Sequence, residues 1–466
     1  MKHLIIYPCV LLLCSCGESF LDVNQSIRQR VPKSLADHIS LLDNTTTMNV
    51  SSHALGMIGG DELFVSEQAY NAFPSGVNHN YQKRAYVWEA QVFEGNEAHL
   101  LDWNDGYKRI LWANLVLEGV DRLQIANDER EQAAWAKGTA LFHRAFNYYN
   151  LAQLFCPVFE ANTAEGALGL PLRLESDLTM KIPRSSLSET YQRILKDVND
   201  ALALLPEKPE TIFRPGKAAA LGLLARVYLQ MGDYQRAFDN AAKCIEFQTT
   251  LLDYNSLDAS RPLPFTARGI GNPEIIFMSM LTGNMGSHLR LLTVQTMAMD
   301  AHLVSLYETG DLRRMLFYEE QNDGSFDYKG SYDASSQSSY FTGIATDEVY
   351  LILAESAVRL GNVPKALQTL NWLRKHRFLP QNFQPLDVSD GDILLDHIIA
   401  ERQRQLVLRG TRWEDIRRLN KEERFAKALT RILGDRTYTL EPGSKSYVWP
   451  IPLEAVQVGG YEQNLR

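Results

Sequence analysis

Two stretches of this chain repeat one spacing of small residues around a glycine, and that limits the fold more than any other feature. Leu224-Ala225, Tyr228, Gly232-Asp233-Tyr234, Ala237 and Ala241 match Leu353-Ala354, Ala357, Gly361-Asn362-Val363, Ala366 and Leu370 position for position. Small side chains are needed where two antiparallel helices cross closely, and glycine supplies the turn between them. The plainer alternative is two independent helical hairpins. Ala145 and Tyr148 look like a further, interrupted copy.

The repeated unit resembles the tetratricopeptide hairpin. Around it, helical periodicity is widespread. Trp103, Tyr107, Ile110, Asn114 and Leu117 recur every three or four residues, and residues 133–155 form a second such run. A third, residues 186–205, opens on Ser186-Leu187-Ser188-Glu189, a serine cap with acid in the first turn. The spacing predicts a mostly α fold, with a helical frame over residues 101–250 and 346–420. Residues 37–100 and 251–345 are richer in Gly, Asn, Ser and Asp. They read as loop-rich regions with a few short strands, such as residues 274–280. Loops on a rigid frame are where binding residues tend to sit.

The N-terminus carries its own signal. Met1-Lys2-His3 precedes an apolar run, Leu4 to Leu13, too short to span a bilayer as a helix. The run ends in Leu13-Cys14-Ser15-Cys16-Gly17, which resembles a bacterial lipobox. Residues 1–15 are therefore expected to be a cleaved signal. Residues 16–466 are expected to be one domain held to the membrane by lipid on Cys16. Two or three acyl chains anchor stably where one does not. Cys9 and Cys14 leave with the signal, so only Cys156 and Cys244 remain in the body. Both sit in apolar helical context and read as buried free thiols, although one disulfide would be possible after export.

Composition narrows the function classes. The formal net charge is -9, which argues against nucleic acid, whose phosphates need a basic stripe. No HExxH, GxSxG or P-loop pattern is present, and Gly269-Ile270-Gly271 lacks a third glycine. The ten histidines are scattered. Asp387, Asp390 and Asp392 could imitate a carboxylate dyad or a calcium loop. Ser389-Asp390-Gly391-Asp392 before an apolar run is more simply a capped helix start. The sequence thus predicts no catalytic residue, no cofactor and no metal.

Several motifs in order carry a family resemblance. They are Phe20-Leu21-Asp22; Trp103 to Tyr107 through Asn114; Arg144-Ala145-Phe146-Asn147-Tyr148; Gly169-Leu170-Pro171; Pro183-Arg184-Ser185-Ser186 to Tyr191; and Ala220 to Asp233. Tyr350 to Glu355, Asn371 to Arg374, Glu401-Arg402, Gly410 to Arg418, Trp449-Pro450-Ile451-Pro452 and Gln463-Asn464 follow. Together they resemble the SusD/RagB family of surface nutrient-binding lipoproteins. The resemblance implies an outer-membrane location, a SusC-like TonB-dependent transporter as partner and an oligosaccharide ligand, with peptide as the alternative. Arg144, Glu355, Arg402, Arg412 and Asp415 lie within apolar helical patterns and are expected to pair as buried salt bridges, with Trp413 and Trp449 as packing groups.

The resemblance also directs the search for ligand contacts to the two loop-rich regions. In the first, Tyr70, Phe73, Asn78, His79, Asn80 and Tyr81 crowd around Pro74 and Gly76. In the second, Tyr328, Tyr332 and Tyr340 stand among Gly, Ser and Asp. A sugar's apolar C–H face lies well on an aromatic ring, and its hydroxyls need polar partners. Trp88, Tyr307 and Phe317 are set aside as packing groups. Each tyrosine taken singly could equally be a loop anchor.

Overall fold

The computed structural model describes residues 32–97, 100–282 and 286–466. Residues 1–15, Cys16 and Phe20-Leu21-Asp22 lie outside them. The chain is mostly α, as the periodicity predicts. After three short helices at 35–42, 45–48 and 54–59 come the two that matter for the site, α1 (Glu67–Ala72) and α2 (Val77–Tyr86). The frame follows: α3 (Gly106–Arg122), α4 (Arg130–Phe155), α5 (Leu187–Leu204), α6 (Lys217–Met231) and α7 (Tyr234–Phe247). After an irregular insert it resumes with α8 (Thr346–Arg359), α9 (Val363–Lys375), α10 (Gly391–Gln405) and α11 (Arg412–Leu419). Among the described residues no helix is long and apolar enough to cross a membrane.

The repeated hairpins are α6–α7 and α8–α9. Both turn on a glycine in the left-handed region, Gly232 at φ 75° and Gly361 at φ 80°, a conformation that costs a side-chain-bearing residue. The next residue caps the second helix in each case. Asp233 accepts the Arg236 N–H at 3.0 Å, and Asn362 accepts the Lys365 N–H at 3.2 Å. Each cap satisfies an otherwise orphan donor of the first turn. Ser186 starts α5 with a full capping box, its hydroxyl accepting the Glu189 N–H at 3.1 Å while Glu189 accepts the Ser186 N–H at 2.8 Å. Asp390 likewise caps α10 through the N–H groups of Asp392 and Ile393. Consecutive frame helices from α3 to α10 pack side by side, with α7 against α8 joining the two hairpins.

The buried charges pair as expected. Arg144 on α4 grips Asp197 on α5 through two bonds of 2.7 and 2.8 Å. Arg418 on α11 grips Glu355 on α8 at 2.6 and 2.8 Å, and Arg402 on α10 reaches Asp415 on α11 at 2.7 Å. Arg412 pairs with Asp61 at 2.7 Å, outside the helical frame. Trp413 and Trp449 are buried and stacked, their ring centroids 5.3 Å apart. Cys156 and Cys244 are buried free thiols.

Residues 251–345 depart from the loop-rich surface that their composition suggests. Short strands there pair in twos, Met280–Thr282 with Ser339–Phe341 and Ile275–Phe277 with Ile344–Ala345. The segment fills the interior: Tyr254, Phe265, Phe277, Tyr328, Tyr332, Tyr340 and Phe341 all belong to the main core cluster. Gly, Ser and Asp serve its tight turns, and the aromatic residues face inward.

Two predictions follow from the buried charges. Glu355→Ala takes away the carboxylate that both terminal nitrogens of the buried Arg418 guanidinium reach and leaves it only the Asp415 bond at 2.9 Å, so it should destabilise the protein by about 3 kcal/mol, read as a fall in the urea midpoint. Glu62 is buried at 1% exposure and accepts the Leu408 N–H at 3.0 Å. Burial, aided by the neighbouring Asp61 charge, holds its carboxyl up at about 8. The protonated form is the one the fold favours. Its stabilisation is complete below the unfolded value of about 4.3 and is lost as pH rises through about 8. Glu62→Gln should therefore narrow the gap between Tm at pH 6 and at pH 9 by roughly 2–4 °C. An unchanged gap in paired thermal melts would refute this assignment.

Candidate functional site

The first loop-rich region folds into α1 and α2, which bring most of its candidate residues into one local unit. Ser66 caps α1 by accepting the Ala69 N–H at 3.1 Å. Gly76, at φ 144°, starts α2, and the Asn80 carboxamide oxygen accepts its N–H at 3.2 Å. Phe73 is tucked under the turn between the helices, its ring meeting the His79 imidazole edge-on at 5.7 Å. Tyr81 is buried against Phe93. Phe73 and Tyr81 therefore build the unit and are not open to a ligand. Tyr70, Asn78, His79 and Asn80 remain partly exposed.

Tyr70 is held on several sides. Its hydroxyl donates to the Lys83 carbonyl at 3.4 Å, and the Lys83 ammonium sits 4.4 Å from its ring centroid. Burial, with Glu89 near, pushes its phenol up to about 12, so it keeps its proton at any physiological pH. Two polar atoms of α2, Oδ1 of Asn78 and Nε2 of His79, are buried without a hydrogen-bond partner among the described residues. Such groups are costly unless something satisfies them. The unit presents an aromatic ring, amides, an imidazole and an ammonium, which is hydrogen-bonding and stacking chemistry. Among the described residues no group of three or more His, Cys, Asp or Glu could hold a metal ion.

α2 is tied to the insert beneath it. The Gln82 carboxamide donates to the Asn78 carbonyl at 2.7 Å and accepts the Leu291 N–H at 2.9 Å. Tyr340 donates to the neighbouring Leu292 carbonyl from below. This corrects the expectation for the second tyrosine group. Tyr328, Tyr332 and Tyr340 are 3%, 1% and 0% exposed. The Tyr328 hydroxyl donates to the Val407 carbonyl at 3.1 Å, and the Tyr332 hydroxyl lies among Glu274, Asp347 and Tyr254. With internal acceptors at hand, the rings stay inside, and no ligand reaches them as a platform. Trp88, Phe317 and Tyr307 pack, as their positions suggest; Trp88 donates its indole N–H to the Gly59 carbonyl at 2.9 Å.

Sequence reasoning missed the hairpin β1 (Leu429–Leu433) and β2 (Arg436–Leu440). It brings Tyr438 and Arg436 close enough to Tyr70 to influence its phenol. The alternation Leu429, Arg431, Leu433 around Gly434-Asp435 could have revealed the hairpin, although not its neighbour. A cleft of about 520 Å³ lies elsewhere, between Pro157 and the C-terminal residues, and shares no residue with α1 or α2.

Comparison with known proteins agrees with this architecture. Residues 19–229 match a family described as starch-binding and associating with the outer membrane, and residues 314–465 match the SusD family. A SusD-like protein of Formosa agariphila is 24% identical over 407 residues, covering 75% of this chain and 76% of that protein. The crystal structure of a SusD superfamily protein from Bacteroides thetaiotaomicron superposes with a TM-score of 0.74 at 21% identity, covering 93% of this chain and all of that one. A laminarin-binding SusD-like protein superposes with a TM-score of 0.66 at 18% identity, covering 92% of this chain and 98% of that one. This chain belongs to the SusD/RagB family.

Proposed function

We propose that this protein captures an oligosaccharide at the cell surface and passes it to a SusC-like TonB-dependent transporter. The observation that carries the reading is the family match over residues 19–229, to proteins described as starch-binding at the outer membrane. The laminarin-binding neighbour points the same way. The α1–α2 face is the ligand surface in this reading. Tyr70 offers a ring face opposite Lys83, while Asn78, His79 and Asn80 offer partners for hydroxyls. Phe73, Tyr81 and Tyr340 hold that face in shape. Lipid on Cys16 is the proposed anchor. The protein binds its ligand and does not cut it.

Tyr70→Ala with His79→Ala should weaken glycan binding about tenfold or more, since an aromatic platform is worth on the order of 1–3 kcal/mol. Tyr328→Phe should leave affinity unchanged and cost about 1 kcal/mol of stability, for the lost bond to Val407. A glycan array that includes laminarin, followed by reducing-end analysis, reads both outcomes. Unaltered affinity in the double variant removes this face as the site, and released reducing ends would mean hydrolysis. Fatty-acid labelling should mark the parent and not Cys16→Ala. Gentle detergent extraction should bring down a large β-barrel protein with the parent.

A further inference from the structure

The helical frame carries one tryptophan that its packing does not explain. Trp372 on α9 is 45% exposed, whereas Trp413 and Trp449 are 1% and 0% exposed. It lines a groove of about 430 Å³ between α7 and α9, whose floor is Tyr350 and Leu353 of α8 and whose far wall includes Ile245 of α7. The indole is fixed and does not sweep freely. It lies close to the Tyr350 hydroxyl, which donates to the Thr249 carbonyl at 3.1 Å. The His376 ring meets it edge-on at 4.7 Å. The result is a braced aromatic plate facing solvent.

The charge around the plate has one sign. Lys365 and Lys375 line the groove, and no Asp or Glu among the described residues does. Neither ammonium has a salt-bridge or hydrogen-bond partner among the described residues, and the Gln368 carboxamide between them is also unengaged. At about 1.5 Å per residue, Lys365 stands roughly 10 Å below Trp372 on the same helix face and Lys375 roughly 4–5 Å above it. The whole chain has a net charge of -9, so this positive, acid-free groove runs against the general field and favours an anion.

The size and walls of the groove decide what kind of anion. The volume suits a small-ligand cleft, which is typically about 300–1,000 Å³. It would hold barely one turn of an α-helix about 10 Å across. Its walls are helices α7–α9 and, from the irregular stretch that follows α9, Phe383 and Pro385; none of these is a strand, so an extended peptide finds no strand edge to join. A flat ring with an apolar face and a negative substituent fits both the plate and the lysines.

We propose that the α7–α9 groove is a binding site for an acidic oligosaccharide, one sugar stacked on Trp372 and its carboxylate or sulfate groups paired with Lys375 and Lys365. The site is separate from the α1–α2 face and does not depend on the function proposed for that face. The ligand's anionic groups make binding weaken with added salt.

Titration calorimetry with tetragalacturonate and with a sulfated carrageenan tetrasaccharide tests this, with cellotetraose as the neutral control. The parent should bind at least one acidic probe at least tenfold more tightly than cellotetraose. Trp372→Ala should lower that affinity tenfold or more, and Lys365→Gln with Lys375→Gln should erase the preference for charge. Which of the two acidic probes binds tells carboxylate from sulfate. All three positions lie at the surface, and circular dichroism should show the fold intact. The Tyr70→Ala, His79→Ala variant should keep its acidic-probe affinity. If that variant loses acidic-probe binding and Trp372→Ala keeps it, the ligand sits on the other face and the groove assignment falls, while the proposed function stands. The inference is also overturned if neither acidic probe binds, or if an oligo-aspartate peptide binds the parent in their place.

Discussion

The α8 helix can be buried only because every carboxylate on it meets a guanidinium, and the frame is arranged around that requirement. Asp347, Glu348 and Glu355 are each at most 1% exposed. Arg409 reaches Asp347 at 3.2 Å, Arg226 of α6 grips Glu348 at 2.6 and 2.7 Å, and Arg418 of α11 grips Glu355. An unpaired ion at that depth would cost several kcal/mol. Each pair therefore ties α8 to a different element, and together they leave it one orientation. The arginines pull strongly enough that Asp347 and Glu355 sit below the usual carboxylate range, although burial alone would raise them.

The same network explains why the insert is interior. Arg409 lies over the rings of Tyr332 and Phe341 at 4.8 and 4.4 Å while pairing with Asp347. Glu274 accepts from Tyr332 and from Arg377, the latter at 2.7 Å, and from the Leu252 N–H at 2.8 Å. These polar groups satisfy one another where water is absent, a condition under which a buried network holds together. Tyrosines belong there because each offers a large apolar ring and one hydroxyl for the network.

What was legible in the sequence was local. The glycine turns of the hairpins, the caps at Ser186 and Asp390, and the need for charge pairing at Arg144 and Glu355 all depend on near neighbours or on a general cost of burial. The family resemblance rested on the same motifs. The position of the tyrosines was not legible, because their partners are remote. Tyr328 bonds a carbonyl 79 residues away, and Tyr332 a carboxylate 58 residues away. A Gly- and Ser-rich setting is compatible with a surface loop and with an irregular core, and only the distant acceptors decide between them. Nor could Tyr70 be separated from Phe73 and Tyr81, three residues of similar type within one short stretch, before the turn at Gly76 fixed which rings face inward.

An aromatic ring is useful to a ligand only if it is both exposed and held still, and the fold meets those two demands differently in two places. Freezing a mobile side chain on binding costs about 0.5–1.5 kcal/mol, so a ring braced beforehand binds better than a free one. Tyr70 is braced by Lys83 and by its bond to the Lys83 carbonyl, on a short helix whose underside is tied to Leu291 through Gln82. Trp372 is braced by Tyr350 and His376 on a frame helix. The buried tyrosines satisfy the second demand and fail the first. The first platform stands on a short helix whose neighbour α2 is bonded to the insert through Gln82. The second stands on a helix fixed by the Arg374–Glu308 pair and by packing on α8, so any ligand there must fit the groove as it is.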